Sequence, residues 1–191
     1  MKSILIIFFF LYPALFANAQ KKEKKIQFAS LTGFSFIAGE NSNNMGIQTV
    51  NGIRFKKSWI IGLGLAYDPY QVPSIPVFLE LRKYLGQKNY SPFMYADAGR
   101  NITMHSSRYP SGNVYESYHF TAANYVEAGI GISKSFTKKT KVFLSAGYSS
   151  KQFNYDMSSK YIFYYYPSSG NNSYHYAYTF QRLAIKLGIE L

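Results

Sequence analysis

The sequence predicts an all-β fold, an eight-stranded antiparallel up-and-down transmembrane β-barrel, on three observations. Apolar and polar residues alternate with a period of two in segment after segment, which puts successive side chains on opposite faces of a strand. Beyond residue 19 no apolar run approaches the ~18 residues of a spanning helix. The polar faces mix Gly and Ala with charges of both signs, the inverse of a soluble core.

The 191 residues suit one domain and contain no cysteine, which excludes a disulfide-stapled mini-protein, a zinc ribbon and a Cys-nucleophile enzyme. Apolar residues make up 47% and charged ones only 16%, so a disordered tail is excluded as well. The 19 Tyr and 16 Phe favour strands and boundaries between grease and water.

The chain opens with basic Met1-Lys2-Ser3, an apolar run of 13 residues from Ile4 to Phe16, and then Ala17-Asn18-Ala19. This is the pattern of a secretory signal peptide over residues 1–19, cleaved before Gln20. The run is too short to cross ~30 Å of hydrocarbon as a helix, and no Cys follows for lipid attachment. Cleavage leaves residues 20–191 as the barrel domain, with 20 basic and 9 acidic side chains. Export argues against nucleic acid as the partner of this positive charge. So does the placing of Lys21, Lys22, Lys24, Lys25, Lys56, Lys57, Lys88, Lys134, Lys138, Lys139 and Lys141 in the N-terminal tail and in breaks between apolar segments.

Taken in order, Ile26 to Ile37 is apolar without clean alternation, and Met45 to Lys56 sets Ile47, Ile53 and Phe55 against Arg54. Trp59 to Asp68 opposes Trp59, Ile61, Leu63, Leu65 and Tyr67 to Ile60, Gly62, Gly64, Ala66 and Asp68. Ile75 to Leu85 opposes Ile75, Val77, Leu79 and Leu81 to Pro76, Phe78, Glu80, Arg82 and Tyr84. In Phe93 to Ile102, Met94, Ala96 and Ala98 oppose Asp97. Tyr125 to Ser133 sets Val126, Ala128, Ile130 and Ile132 against Tyr125, Glu127, Gly129 and Gly131. Val142 to Ser149 sets Val142, Leu144, Ala146 and Tyr148 against Phe143, Ser145, Gly147 and Ser149. The last strand is the clearest: Leu183, Ile185, Leu187, Ile189 and Leu191 against Arg182, Ala184, Lys186, Gly188 and Glu190. Short basic links near Lys56-Lys57-Ser58, Gly86 to Ser91 and Lys134 to Thr140 alternate with longer ones at Gly39 to Asn44, Asp68 to Ser74, His105 to Tyr118 and Met157 to Tyr176, as expected of an up-and-down membrane barrel.

On this reading the apolar faces meet lipid and the mixed faces line the lumen. An eight-strand barrel is just wide enough inside for side chains to fill it. Charges there are costly unless paired. Arg54, Glu80, Arg82, Asp97, Glu127, Arg182, Lys186 and Glu190 are therefore the predicted interior ion-pair network, with small residues leaving room for them. Tyr67, Tyr84, Tyr95, Phe136 and Tyr148 lie near strand ends and suit an aromatic girdle. The soluble alternative, a periplasmic lipocalin-like binding barrel, requires a large apolar face pointing inward.

Trp59, Gly62-Leu63-Gly64-Leu65-Ala66-Tyr67-Asp68, the run Ile75 to Leu85, and Pro92-Phe93-Met94-Tyr95-Ala96-Asp97-Ala98-Gly99, with the alternating last strand, carry a resemblance. Together they resemble the small outer-membrane β-barrel proteins of Bacteroidetes-type bacteria, the porin-family or outer membrane protein β-barrel domain proteins. The resemblance implies an eight-strand barrel in the outer membrane of a Gram-negative bacterium. Its surroundings would be outer-membrane lipids and lipopolysaccharide, and the barrel insertion machinery would place it there. It implies no particular ligand or reaction. In the family the last strand usually ends in an aromatic residue read by that machinery; here Leu191 stands instead.

Chemistry-bearing motifs are sparse. The sequence shows no metal-ligand spacing and no phosphate loop, and no cofactor is expected. The candidate catalytic group is His105 with Ser107 and Glu116, near His119, because barrels that deacylate outer-leaflet lipid A use His, Ser and an acid. The sequence lacks a fuller match to them, and the expected reading is a non-enzyme. The Tyr-rich segment Tyr161, Tyr164, Tyr165, Tyr166, Tyr174, Tyr176 and Tyr178 is predicted to stand outside the membrane, where aromatics stack on an extracellular glycan or anchor a protein ligand.

Overall fold

The computed structural model describes residues 26–40, 42–86, 89–104, 107–111, 114–137, 139–161 and 171–191; side chains at 107–117, 159–161 and 171–172 are outside the description. Residues 1–19, expected as a signal peptide, fall outside it as well. The strands are β1 Ile26–Gly39, β2 Asn43–Phe55, β3 Trp59–Tyr67, β4 Ser74–Tyr84, β5 Tyr90–Thr103, β6 Ser107–Ser111, β7 Val114–Thr121, β8 Ala123–Ser135, β9 Lys141–Tyr161 and β10 Asn171–Glu190.

Eight of these close the wall in the order β1-β2-β3-β4-β5-β8-β9-β10, each antiparallel to the next. Pairs from Leu31↔Glu190 to Gly39↔Arg182 seal β1 to β10. Closure satisfies every edge, the condition for backbone to sit in hydrocarbon. β6 and β7 extend β5 and β8 as a hairpin beyond the wall, and β7 pairs with the far half of β9. Between Thr121↔Asn154 and Tyr125↔Lys151, three residues of the β7–β8 strand face two of β9. This β-bulge switches the alternation from odd to even residues, so Phe120 stays on the same side of the sheet as Tyr125.

The wall has the polarity of a membrane barrel. Phe34, Leu63, Leu79, Ile130, Leu144, Leu183, Ile185 and Leu187 point outward and stay exposed, whereas Glu80, Arg82, Asp97, Glu127, Arg182, Lys186 and Glu190 are buried inside. The continuous exposed apolar exterior is what the soluble lipocalin-like alternative does not provide for. β1 also alternates more cleanly than its sequence suggests: Ala29, Leu31, Gly33, Ser35 and Ile37 face inward. Its inner face mixes apolar, Gly and Ser residues, which hides the period in a hydropathy reading. The β1–β2 connection is short, not long, since β1 runs to Gly39 and β2 starts at Asn43.

Two expectations are corrected inside the barrel. Tyr84 and Tyr95 do not join a girdle; both are buried in the lumen. Tyr67, Phe136 and Tyr148 do face outward. The Gly positions leave room chiefly for rings, not for charges. A Cβ on Gly64 would lie 2.2 Å from the Phe78 ring, and one on Gly188 would lie 2.5 Å from Phe143. Each glycine thus admits an aromatic from a neighbouring strand. Phe78, Tyr84, Phe93, Tyr95, Tyr125 and Phe143 join Leu31, Val50 and Ile60 in the packed centre.

One patch of the outer wall breaks the apolar rule. Ser30 and Thr32 of β1 face outward beside Asn51 and Thr49 of β2, between Phe28 and Ile53 on one side and Phe34 and Ile47 on the other. They satisfy each other: Ser30 donates to Asn51 Oδ1 at 2.8 Å, and the Thr32 and Thr49 hydroxyls lie 3.2 Å apart. Losing one partner strands the other, while replacing both is close to neutral. Ser30→Val is therefore expected to cost about 1 kcal/mol, and Ser30→Val with Asn51→Leu to recover it. Urea midpoints in lipid vesicles check this; a double variant weaker than the single one removes the explanation.

Candidate functional site

The inward faces of the wall strands stack their charges in three levels along the barrel axis. At the end with the short turns, Arg54 from β2 pairs with Glu190 from β10, Lys141 Nζ lies 3.6 Å from the same carboxylate, and the Tyr84 hydroxyl donates to it. The Arg54 and Lys141 cations also lie over the Tyr84 ring, at 5.5 and 4.7 Å. Aromatic faces attract cations electrostatically, so one ring and one carboxylate serve two positive charges.

The middle level is the most enclosed. Lys186 Nζ lies 2.5 Å from Glu127 Oε1 and 3.5 Å from Asp97 Oδ2. The hydroxyls of Tyr95 and Tyr125 donate to the two Glu127 oxygens at 2.7 and 2.8 Å. Arg82 Nε donates to Glu80 two residues earlier on the same strand, at 2.7 Å. Its guanidinium is held over Phe93 at 4.4 Å and Phe143 at 4.8 Å. The period of two makes the Glu80–Arg82 pair possible, since both side chains leave the strand on one face.

The third level caps the other end. After Tyr67 the chain turns inward through Asp68, which Ser74 bridges back to the strand. Asp68 Oδ2 meets Arg182 at 2.5 Å, and its Oδ1 lies 3.4 Å from Lys151 Nζ and accepts the Tyr70 N–H at 2.9 Å. Lys151 Nζ also donates to the Tyr70 and Val72 carbonyls, at 3.2 and 3.1 Å. Tyr70 is buried at the mouth, edge-on to Phe180 at 5.8 Å, with Arg182 over its ring at 5.3 Å. Gln71 takes a left-handed φ of 58°, which turns the loop back out. The link expected as an open outer loop is instead a plug seated on an ion triad. The void beneath it, lined by Asp68, Tyr125, Glu127 and Arg182, is about 10 Å³, room for about one water.

All eight charged residues singled out from sequence lie on the inner side of the wall, and the structure distributes them over the three levels. Sequence reasoning missed Asp68, Lys141 and Lys151. Asp68 closes an alternating face, and that was its one signal. Lys141 reads as part of a basic turn, and Lys151 lies beyond the apolar part of β9. Among the described residues, six interior cations then meet five carboxylates.

Beyond the wall, β10 carries Tyr174, Tyr176, Tyr178 and Phe180 on the face that continues the lumen side, and their neighbours pack on them. The rings of Tyr155 and Tyr176 stack at 5.0 Å, and those of Tyr155 and Tyr178 at 6.1 Å. Phe120 and Phe153 extend the ladder at 5.2 Å. Loss of water around the Tyr155 phenol, helped by the hydrogen bond with Tyr178, pushes its pKa up to about 12. Tyr174 and Tyr178 remain half exposed. Tyr164, Tyr165 and Tyr166 lie outside the described residues, as does the side chain of Tyr161.

His105 lies outside the described residues too. Backbone register sets Ser107 opposite Tyr118 and Glu116 opposite Tyr109, which puts these four positions on one face and His119 on the other. The hairpin therefore does not gather His119 with Ser107 and Glu116. Instead His119 and His175 flank Asp156 from either side, with His175 Nδ1 2.6 Å from its Oδ1. Among the described residues no group of three or more His, Asp or Glu is placed to hold a metal ion.

A closed antiparallel wall, apolar outside and ion-paired within, defines an eight-stranded β-barrel of the outer-membrane type. Neither protein-family models nor curated protein sequences give a match. Among solved structures, the chain is similar to the outer membrane protein AlkL, determined in lipid bilayers, with 10% identity and a TM-score of 0.51 over 90% of this chain and 92% of that one. It is similar to Neisserial surface protein A, with 10% identity and a TM-score of 0.50 over 90% and 99%. The N-terminal β-barrel domain of Pseudomonas aeruginosa OprF is 10% identical, with a TM-score of 0.46 over 86% and 97%. At such identity the likeness is one of fold.

Proposed function

We propose that the chain is an integral outer-membrane barrel with a structural or surface-interaction role, no open pore and no enzymatic activity. The observation that carries this is the filled lumen: three ion-paired levels, with Tyr70 seated over the last on Asp68, Lys151 and Arg182. A solute crossing this column would have to break buried charge pairs, each costly to separate. The leading segment 1–19, read as a signal peptide, and the lipid-compatible wall support an outer-membrane address, reached through the insertion machinery. The sequence motifs support the narrower kinship with Bacteroidetes-type small barrels. Lipopolysaccharide would surround the tall β6-β7-β9-β10 extension, whose half-exposed Tyr174 and Tyr178 offer stacking faces to a glycan or protein ligand.

Membrane fractionation and gel migration with and without heating test the address. The expected result is an outer-membrane protein that resists high-salt extraction and migrates faster unheated. In planar bilayers the purified barrel is expected to show no conductance of porin size; a large stable conductance would overturn the closed-lumen reading.

A further inference from the structure

The barrel end with the short turns holds a second cavity, of about 250 Å³, lined by Gln27, Arg54, Lys57, Tyr84, Ser135 and Lys141 among others. It opens to the surface and is far roomier than the void beneath Tyr70. Three of these side chains are cations, and Glu190 pairs with two of them, Arg54 and Lys141. Among the described residues, three positive charges against one carboxylate leave two in excess.

The turn that presents Lys57 is itself unusual. Lys56 and Lys57 take left-handed φ values of 48° and 60°. Consecutive left-handed residues in a hairpin turn favour Asn-Gly, and side-chain-bearing residues held there gather at ligand clamps. Here both places are lysines. Lys83, over the Trp59 ring at 4.9 Å, and Lys134, over the Tyr90 ring at 5.3 Å, add positive charge around the same end. Such a concentration of one sign draws in counter-ions.

We propose that this cavity binds a phosphate group. A phosphate carries close to two negative charges and several strong acceptor oxygens, matching the excess of two cations and the several donors that Arg54, Lys57 and Lys141 bring to one cavity. A carboxylate would leave one cation unmatched. The phosphate comes either from a soluble phosphate or phosphate ester, or from the headgroup of a phospholipid in the leaflet at this end. That this end faces the periplasm rests on the outer-membrane reading; the binding chemistry does not.

The test is calorimetric titration of the full barrel, in a phosphate-free maltoside detergent, with inorganic phosphate. Saturable one-to-one binding is expected, with Lys57→Ala and Lys141→Ala each weakening it about tenfold, the loss expected for a charge-assisted hydrogen bond. Lys139→Ala, on the turn outside the cavity, is expected to leave it unchanged. Repeating the titration in phosphatidylglycerol nanodiscs separates the sources: blocked binding identifies the headgroup, retained binding a soluble phosphate. If a variant fails to fold, protection of Lys57 and Lys141 in the unaltered barrel from amine acetylation by added phosphate gives the same answer by mass spectrometry. No saturable binding in maltoside, or equal binding by Lys57→Ala and the unaltered barrel, overturns the proposal. Heat-dependent migration and fractionation are separate readouts, so failure of the outer-membrane reading is distinguishable.

Discussion

Lys186→Met is expected to destabilise the barrel by about 3–5 kcal/mol, the range for removing one partner of a buried ion pair. Lys186 is only 2% exposed and is the cation that both Glu127 and Asp97 face. Asp97 Oδ1 and Glu80 Oε2 already lack hydrogen-bond partners, as does the donor Arg82 Nη1, so the middle level is imperfectly satisfied even with Lys186 in place. Methionine fills similar volume but leaves two carboxylates buried together. Adding Glu127→Gln and Asp97→Asn removes both orphaned charges, and the triple variant is expected to regain most of the loss. Urea unfolding in vesicles, followed by the fluorescence of the single tryptophan, Trp59, measures it. A triple variant no more stable than Lys186→Met would show that the charges are not coupled.

Leu63→Arg is the next largest expected effect and tests the wall directly. Leu63 points outward at 65% exposure, within the apolar band of β3. In a bilayer an arginine on the lipid face costs about 2–4 kcal/mol near the midplane. On a water-facing wall the same change would stay within about 0.5 kcal/mol. Gln181→Arg, on the outward face of β10 above its apolar band, serves as the comparison and is expected to be near neutral. Equal, small effects at both positions would remove the membrane assignment.

Much of the wall was legible because its signal is local. The Leu183, Ile185, Leu187, Ile189 series fixes its own facing whatever it pairs with. The same holds for Glu80 and Arg82, two residues apart. Tyr84 misled because a Tyr near a strand end suits a girdle and a lumen equally; its ring turned inward to meet Glu190, 106 residues away in sequence. The β7–β8 bulge was illegible for a related reason. One extra residue reverses the alternation, and its place depends on the register of β9, not on the composition around Ala122.

The sequence by itself determined the period of two and the polarity of the faces in most wall strands, β1 excepted, because these follow from side-chain direction along a single strand. The number of wall strands follows from counting such segments. The tertiary structure alone decided which charges share a level, that Asp68 and Tyr70 close one mouth, and that Arg54, Lys57 and Lys141 surround a cavity at the other. Those contacts depend on the stagger with which the strands close around the axis. That stagger is the sum of the pairing registers around the whole wall, along which rings sit against glycines of neighbouring strands, and no single segment contains it.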